Sequence, residues 1–320
     1  MNDLKEIARK IKDSDDFLLV GHKAPDGDCI GSLLGLYLGL EAMGKRVGIL
    51  LSDPVPPIYH YLTAVEQVKQ PGEIQSQPPN LIFLDCSDEQ RVGQETFALI
   101  QHRNCSINID HHQSNNFFGD FNYIDASAAA TAEIITELLL HMQVNINAAM
   151  ADALLAGIIM DTGSFLNANT TGKTLRIAAE LLNFGASVNL ARINLFESKS
   201  RKELLMLQRA LQHLDFTADG RIAWMSLPYQ EMADIGAEDL YPEGLINYTR
   251  MIEGVEVGIL FREMPAGKIK VGFRSRGQVD VAALAQKFGG GGHRQASGAQ
   301  CEGKLEEVKS TVILAVKDVI

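Results

Sequence analysis

Acidic and imidazole side chains follow directly on several apolar stretches of this sequence. A site with both imidazole and carboxylate ligands suits manganese, iron or zinc, whereas an all-oxygen site suits magnesium or calcium. Paired ions that share a carboxylate activate water and hold a phosphoryl oxygen, which is the chemistry of phosphoester hydrolysis. An aspartate after a strand usually caps a turn, and a lone histidine usually has its hydrogen bonds made by nearby groups. So many such residues together nevertheless favour a functional site. They are His22, Asp26, Asp28, Asp85, Asp110, His111, His112 and Asp161.

These residues require a scaffold that carries distant parts of the chain to one place. An apolar run at 17–20 precedes a polar turn and a helical stretch at 30–43, and similar runs recur at 47–51, 81–84 and 106–109. Short apolar runs that alternate with helical segments are typical of an α/β domain with a mainly parallel sheet flanked by helices. The carboxyl ends of parallel strands converge on one crevice, so we expect the acidic and imidazole groups to meet there.

The second half of the chain has a different pattern. Residues 128–214 are almost wholly helical in pattern, and their last part, 198–214, has the spacing of one charged amphipathic helix. A smaller α+β domain is predicted beyond it, with strands at 221–227, 255–262 and 268–274, helices at 279–288 and 304–319, and four glycines at 289–292. We therefore expect domains at 1–196 and 216–320, joined by a linker helix at 197–215.

Composition narrows the class of protein. The chain of 320 residues has 46% hydrophobic and 22% charged residues, which indicates a folded globular protein rather than a disordered, collagenous or coiled-coil chain. Its net charge of −11 argues against binding to long duplex DNA. Four scattered cysteines suit a reducing compartment. The charged N-terminal stretch is unlike a signal peptide, and apolar stretches stay short of the ~20 residues of a membrane span, so we expect a soluble, cytoplasmic protein.

The triplet DHH at 110–112 resembles the signature of the DHH phosphoesterase superfamily. The turn GHKAPDGD at 21–28 resembles the first motif of that superfamily, LDCSD around Asp85 the second, and GIIMDTGSF around Asp161 the fourth. FGGGGHRQASG at 288–298 resembles the signature of the accessory DHHA1 domain, so the resemblance covers nearly the whole chain. In size and layout the sequence is similar to the nanoRNase and pAp-phosphatase subgroup. The resemblance implies a DHH domain joined by a linker helix to a DHHA1 domain.

The resemblance also implies a role for each candidate residue. Two divalent ions would share the carboxylate of Asp85, and His112 would face the scissile phosphate. Asp110 and Asp88 would orient imidazoles, since ligating histidines usually give their other N–H to a carboxylate or carbonyl. Cys86 stands where relatives often carry threonine, and this departure leaves the ligands untouched. Besides Asp85, the implied ligands are His22 and Asp26 for the first ion and Asp28, His111 and Asp161 for the second.

The second domain carries a local excess of positive charge. Between residues 262 and 304 there are eight basic and three acidic residues, in a chain that is acidic overall. This charge would attract a phosphorylated end into the cleft expected between the domains. Four glycines permit backbone amides to crowd around an anion; a glycine run alone is more often a flexible loop, but the DHHA1-like sequence around it favours binding. The expected substrate-binding residues are Arg262, Arg274, Gly290, Gly291, Gly292 and His293.

Together these features predict a two-metal phosphoesterase, with two manganese ions as the expected cofactor and magnesium or another divalent ion as the alternative. The resemblance implies that it hydrolyses short RNA or DNA oligonucleotides, including pGpG and pApA, to mononucleotides, and pAp to AMP. The alternatives are a manganese pyrophosphatase, an exonuclease of single-stranded DNA and a non-catalytic nucleotide sensor. The DHHA1-like ending argues against the first, the short acidic chain against the second, and the intact ligand set against the third. The preferred substrate, the direction of attack and the oligomeric state stay open.

Overall fold

The chain forms two compact units in the computed structural model, which describes residues 2–74, 79–240, 242 and 244–320. The first unit is Met1–Ser198 and the second is Lys199–Ile320. Over the described ranges, no helix combines the length and the apolar character needed to cross a membrane.

A six-stranded parallel sheet forms the centre of the first unit. Its strands are β1 (Phe17–Val20), β2 (Val47–Leu50), β3 (Val68–Lys69), β4 (Asn80–Leu84), β5 (Cys105–Asp110) and β6 (Phe121–Ile124). They lie in the order β3-β2-β1-β4-β5-β6, and every neighbouring pair is parallel. The strand order reverses between β1 and β4, and sheets of this kind bind ligands outside the carboxyl ends of the strands at such a point. The predicted α/β fold is confirmed.

Helices cover both faces of this sheet. They are α1 (Leu4–Lys12), α2 (Gly27–Ala42), α3 (Gln94–Leu99), α4 (Thr131–His141), α5 (Ala148–Asp161), α6 (Gly172–Asn183) and α7 (Val188–Phe196). Successive residues of β1 point to opposite faces, so Leu19 joins a large core with α2, α4 and α5, and Leu18 joins a smaller core beside α3. Because both faces are buried, the strands read as continuous apolar runs rather than as an alternating pattern.

Close packing of α2 against α5 brings two candidate ligands together. A Cβ atom at Gly31 of α2 would lie 2.9 Å from the backbone nitrogen of Gly157 in α5, and one at Gly157 would lie 3.1 Å from Asp28 Oδ1. Glycine at both positions therefore allows the two helices to approach. Asp28 in the first turn of α2 and Asp161 at the end of α5 then lie on either side of His111, 3.8 and 3.7 Å from its Nε2.

The second unit contains a mixed six-stranded sheet. Its strands are β7 (Asp215–Phe216), β8 (Ile222–Leu227), β9 (Val257–Met264), β10 (Lys268–Ser275), β11 (Gly291–His293) and β12 (Ala296–Glu302). They lie in the order β11-β12-β10-β9-β8-β7, in which β8 and β9 are parallel and the other neighbours are antiparallel. This arrangement agrees with the smaller α+β domain predicted from the sequence.

Helices pack on both faces of the second sheet as well. They are α8 (Arg201–Gln212), α9 (Tyr229–Asp234), α10 (Asn247–Arg250), α11 (Val281–Gln286) and α12 (Leu305–Lys317). Apolar residues of α11 and α12 join a core with β9 and β10, around Phe261 and Phe273. On the other face, Met206 of α8 packs with Met225 and Leu227 of β8. Helix α8, which lies within the stretch predicted to join two domains, is therefore part of the core of the second unit.

Candidate metal centre

His22 and Asp26 lie in the turn that follows β1. His22 is buried, and its Nδ1 lies 2.9 Å from the carbonyl oxygen of Lys23. A carbonyl oxygen only accepts hydrogen bonds, so Nδ1 carries a proton and Nε2 is the nitrogen suited to a metal. This Nε2 faces Asp85 Oδ2 at 3.4 Å and Asp26 Oδ1 at 3.7 Å. Asp26 also caps α2, because its Oδ1 accepts the N–H of Asp28 at 3.1 Å.

Asp85 directly follows β4 and is 2% exposed. Its φ of +60° turns the chain sharply, in a conformation that aspartate adopts more readily than most residues. The two carboxylate oxygens face different partners, since Oδ2 lies 3.4 Å from His22 Nε2 and Oδ1 lies 3.7 Å from His111 Nε2. The hydroxyl of Thr131 donates to Oδ1 at 3.0 Å. Asp85 therefore connects two groups of donor atoms.

The triplet at the end of β5 occupies three different environments. Asp110 is fully buried, and its Oδ1 accepts a hydrogen bond from the His112 ring at 2.7 Å. Its Oδ2 accepts the side-chain amide of Asn115 at 2.6 Å. Nδ1 of His111 lies 3.3 Å from the carbonyl oxygen of Ala128, so its Nε2 is directed to the carboxylates. Asp110 thus orients His112, whereas Nε2 of His111 faces the carboxylates of Asp28, Asp85 and Asp161.

The separations around His111 fit a shared cation. Its Nε2 lies 3.8 Å from Asp28 Oδ2 and 3.7 Å from both Asp85 Oδ1 and Asp161 Oδ2. These distances are too long for direct hydrogen bonds. Donors about 2.1 Å from one ion lie about 3.0–3.4 Å from one another, so a small contraction would place all of these atoms around one cation. The donor types and their spacing therefore fit a metal ion.

Three overlapping groups of described side chains could hold a metal ion, and in each group the ligand atoms lie within 4.8 Å of one another. The groups are His22, Asp26 and Asp85; Asp28, His111 and Asp161; and Asp85, Asp110, His111 and His112. All eight candidates from the sequence are thus brought together. Asp88, predicted to orient an imidazole, is not among these residues; its carboxylate accepts hydrogen bonds from the backbone of Gln90 at 2.7 Å and the side chain of Asn116 at 2.6 Å. Asp88 caps the short 3-10 helix Glu89–Val92 and is also held by Asn116.

The acidic and imidazole residues of this centre shift one another's pKa. Burial, and then the charges of Asp85 and Asp161, raise the pKa of Asp28 well above its ordinary value. Burial raises the pKa of Asp161 to about 6, against the opposing effect of His111 and with a further rise from Asp85. Burial lowers the pKa of His111, but the charges of Asp28, Asp85, Asp161 and Asp110 outweigh it and raise that pKa to about 9. Bound cations would relieve this crowding of negative charge.

The glycine run of the second unit forms the end of a helix and the start of a hairpin. The N–H groups of Gly289 and Gly290 donate to carbonyl oxygens of α11, at 3.1 and 2.9 Å. Gly291 and Gly292 belong to β11, which pairs with β12 so that Gly291 lies opposite Gly298. The predicted nest of four backbone amides is therefore corrected, because Gly289 and Gly290 already use their N–H groups. His293 follows on the same strand and is exposed.

The two arginines predicted to bind phosphate lie on neighbouring strands of the second unit. Arg262 of β9 is 7% exposed, and its guanidinium donates to the carbonyl oxygen of Glu238 at 2.6 Å. Arg274 of β10 is half-buried. Arg262 pairs with Lys270, four positions from Arg274 on the same face, so the two backbones are separated by roughly 13 Å along the ladder. The two residues lie at opposite ends of the strand pair.

Comparisons with known proteins relate the chain to both predicted domain types. The profile of the DHH family, N-terminal domain, matches residues 16–158, and that of the DHHA1 domain matches residues 234–318. The bifunctional oligoribonuclease and PAP phosphatase NrnA of Thermus thermophilus is 36% identical over 300 residues, which are 93% of this chain and 88% of that protein. The protein of the same name from Bacillus subtilis is 29% identical, over 92% of each chain.

A solved structure shows the same fold. The crystal structure of an exopolyphosphatase-related protein from Bacteroides fragilis matches with a TM-score of 0.92, at 24% identity, over 98% of this chain and 95% of that chain. This likeness concerns the fold alone, whereas the identity to the Thermus protein extends over nearly the full length of both sequences. The resemblance drawn from the motifs is confirmed. The chain belongs to the DHH family and carries a DHHA1 domain after its DHH domain.

Proposed function

We propose that this protein is a metal-dependent phosphodiesterase that hydrolyses short oligonucleotides to mononucleotides and converts pAp to AMP. The position of Asp85 carries the proposal, because its two oxygens face His22 on one side and His111 on the other. A carboxylate in this position is the feature that a pair of ions requires. The substrate class is taken from the relatives that are named bifunctional oligoribonuclease and PAP phosphatase.

The proposed ligands of each ion follow from the donor groups described above. Bound divalent cations would polarise a phosphoryl oxygen and activate water for in-line attack. We propose manganese, because His22 and His111 supply nitrogen ligands, which magnesium uses poorly. The proposed ligands are His22, Asp26 and Asp85 for one ion, and Asp28, Asp85, His111 and Asp161 for the other.

His112 would act on the phosphate itself. Asp110 accepts the hydrogen bond from Nδ1 of the ring, and Asn115 holds Asp110 in turn. Burial lowers the pKa of His112, but the bond to Asp110 and the charge of Asp85 outweigh it, so this pKa is raised. A protonated and oriented imidazole donates a hydrogen bond to a phosphate oxygen and offsets the charge that develops there.

The second unit would contribute affinity for the substrate. Its residues 262–304 include eight basic and three acidic side chains, which attract a phosphorylated ligand. His293 and Gly291 are exposed on β11, and Arg274 is half-buried on β10. Gly290 would hold the hairpin at the end of α11 through its N–H, and Arg262 would support the same sheet. We propose that His293 and Arg274 bind phosphate, together with the backbone N–H of β11, at Gly291 or Gly292, that points away from β12.

The proposed partners are short RNA or DNA oligonucleotides and phosphorylated nucleotides, and the proposed location is the cytoplasm. The net charge of −11 disfavours long duplex DNA. All four cysteines are free and three of them are buried, which suits a reducing compartment. The matched DHHA1 domain at 234–318 also disfavours the pyrophosphatase alternative.

An end-labelled length series tests the proposal. The purified protein would be supplied with Mn²⁺ and with RNA from two to about twenty-four nucleotides, and pAp and pyrophosphate would be assayed beside them. We expect turnover of dinucleotides and pAp, and a decline as the RNA lengthens. Equal rates on long single strands would favour a processive exonuclease, selective cleavage of pyrophosphate would favour a pyrophosphatase, and binding without turnover would favour a sensor.

A further inference from the structure

The short segment 128–132, at the start of α4, contacts the candidate metal ligands from several directions. The carbonyl oxygen of Ala128 lies 3.3 Å from Nδ1 of His111. The N–H groups of Thr131 and Ala132 donate to Asp28, at 2.6 and 2.8 Å. Residues 128–132 are four alanines and one threonine, and the motifs found in the sequence do not include them. Its contacts nevertheless reach candidate ligands in α2 and directly after β5.

The side chain of Asp28 caps the N-terminus of α4 although Asp28 lies 103 residues before Thr131. The residue in the N-cap position, Ala130, has no side chain that can cap the helix. The first N–H groups of a helix need acceptors from outside the helix, and its positive end favours a carboxylate. Each oxygen of Asp28 accepts one of these N–H groups, so the two bonds fix the position of the carboxylate.

Thr131 is the residue that connects two of the ligands. Its N–H donates to Asp28 Oδ2 at 2.6 Å and its hydroxyl donates to Asp85 Oδ1 at 3.0 Å. The side chain is fully buried, so water does not compete for these bonds. Both contacted oxygens face Nε2 of His111, at 3.8 and 3.7 Å. A single residue thus fixes the distance between two carboxylates that come from α2 and from the end of β4.

Glu133 anchors this segment through hydrogen bonds. It is fully buried, and its Oε2 accepts the N–H of Ala129 at 3.2 Å and the hydroxyl of Thr174 at 2.9 Å. The ammonium group of Lys173 lies 3.4 Å from the other oxygen of Glu133. The turn that enters α4 is therefore anchored to α6, and the position of Thr131 is determined by the scaffold.

We propose that Thr131 is a positioning residue that sets the spacing of Asp28 and Asp85 and thereby the affinity of the centre for its ions. The inference rests on the proposed metal-dependent function. Partners that orient metal ligands typically contribute 10–100-fold to metal affinity. The hydroxyl of Thr131 orients the shared carboxylate, and its loss frees Asp85 to rotate towards either group.

Four variants of the full chain test this role: Thr131→Val, Thr131→Ala, Thr131→Ser and, as a matched control, Thr136→Val. Thr136 is fully buried on the same helix, and its hydroxyl donates to the carbonyl oxygen of Ala132 within that helix. Mn²⁺ binding would be measured by calorimetry, and the coupling of bound Mn²⁺ ions by low-temperature electron paramagnetic resonance. We expect Thr131→Val and Thr131→Ala to weaken Mn²⁺ binding about 10–100-fold and to reduce the coupled signal. Thr131→Ser and Thr136→Val should bind as the wild type does.

The outcomes separate this inference from the function on which it rests. Unchanged affinity and coupling in Thr131→Val, or equal losses in Thr131→Ser, would overturn the positioning role. Equal losses in Thr136→Val would assign the effect to packing of α4 instead. If Thr131→Val failed to fold, as judged by circular dichroism, the comparison of Thr131→Ala with Thr131→Ser would decide. A wild-type protein that bound no Mn²⁺ and yet hydrolysed dinucleotides would refute the metal centre itself.

Discussion

Asp85 is the residue at which the two donor groups meet. In Asp85→Asn, an NH₂ group replaces one carboxylate oxygen and the charge is lost, although the shape of the side chain is kept. Either the His22 side or the His111 side of the centre then lacks the oxygen of residue 85. We expect turnover of every substrate to fall by more than about 100-fold, beyond the effect of an outer partner. Steady-state rates with dinucleotide and pAp measure this loss.

Asp120→Asn is the matched control for that variant. Asp120 lies in the same unit and accepts hydrogen bonds from the backbone and the hydroxyl of Ser106, both at 2.8 Å. We expect this variant to retain wild-type turnover. Substantial Mn²⁺-supported activity in a folded Asp85→Asn protein would show that Asp85 is not the shared ligand.

The nitrogen ligands set the expected metal preference. His22 and His111 each keep Nε2 towards carboxylates, because their Nδ1 atoms face carbonyl oxygens at 2.9 and 3.3 Å. We expect Mn²⁺ to support faster turnover than Mg²⁺ at equal concentration, and chelation to abolish it. Rates after exhaustive chelation and stepwise return of each ion measure the effect, and full activity in the chelated protein would contradict it.

The acidic and imidazole candidates could be identified from the sequence, and the family resemblance implied Asp110 as an orienting residue, but Asn115 and Thr131 could not be identified in this way. Asp85 and His111 belong to residue types that bind metals and follow apolar runs, so their role is readable from type and position. Thr131 bonds to Asp28 and Asp85 across 103 and 46 residues, separations that no local pattern reveals. Asn115 lies only five residues from Asp110, but its type and position do not show that its side chain bonds to that carboxylate. The signal of both residues is burial of a polar side chain, and burial requires the fold.

The hairpin of β11 and β12 depends on a glycine at one position more than at its neighbour. A Cβ atom at Gly292, where φ is +138°, would lie 2.7 Å from the carbonyl oxygen of Ala296. At Gly291 the φ is not in the left-handed region, and an added Cβ atom would meet no other atom within 4 Å. We expect Gly292→Ala to destabilise the protein by about 1–3 kcal/mol, whereas Gly291→Ala changes stability by less than about 0.5 kcal/mol. Chemical denaturation compares them, and equal effects would contradict the hairpin geometry.

Asp152 of α5 provides a test of how burial of a carboxylate changes stability with pH. Burial raises its pKa, although the N–H of Ser187 donates to its Oδ1 at 2.7 Å and opposes the rise. An acid whose pKa is raised on folding destabilises the native state at pH values above that pKa, and the cost disappears below the unfolded pKa. Asp152→Asn keeps an acceptor and removes the charge, so we expect a higher Tm than wild type at pH 7 and no gain near pH 3. A gain that is independent of pH would contradict this account.

The large elements were predictable and the short strands were not. The strands β1, β4 and β5 are runs of buried apolar residues, which the sequence displays directly. By contrast, β3 has only two residues, and β6 is half-buried along most of its length. The strand β11 consists of glycines and a histidine, types that a pattern search assigns to loops. Tertiary pairing with β12, rather than local preference, makes it a strand.

At the scale of the whole molecule, we expect the two units to divide the work between ion binding and substrate affinity. His293→Ala removes a proposed donor to phosphate, so we expect a cost of roughly 1.5–3 kcal/mol or about one to two decades in kcat/KM. Binding of Mn²⁺ should stay at the wild-type level, because the proposed ligands lie in the first unit. Kinetics on pAp and dinucleotides, with calorimetry beside them, measure both effects.

Lys317→Ala provides the control for net charge. Lys317 is exposed at the end of α12, so its removal lowers the positive charge of the same unit without touching the proposed phosphate-binding residues. We expect wild-type kinetics from this variant. If His293→Ala also left kcat/KM unchanged, phosphate binding by the second unit would have to be abandoned.

The large sequence separation between Asp28 and the helix that it caps has a consequence for biosynthesis. Asp28 and Thr131 are 103 residues apart, and the candidate ligands extend from His22 to Asp161. A nascent chain that has left the ribosome only as far as β5 would hold most of its sheet but could not assemble the centre. Contacts so distant in sequence also form late during folding, since loops must close before they do. We therefore expect a newly made DHH domain to bind its ions only after α5, which ends at Asp161, has been synthesised and packed.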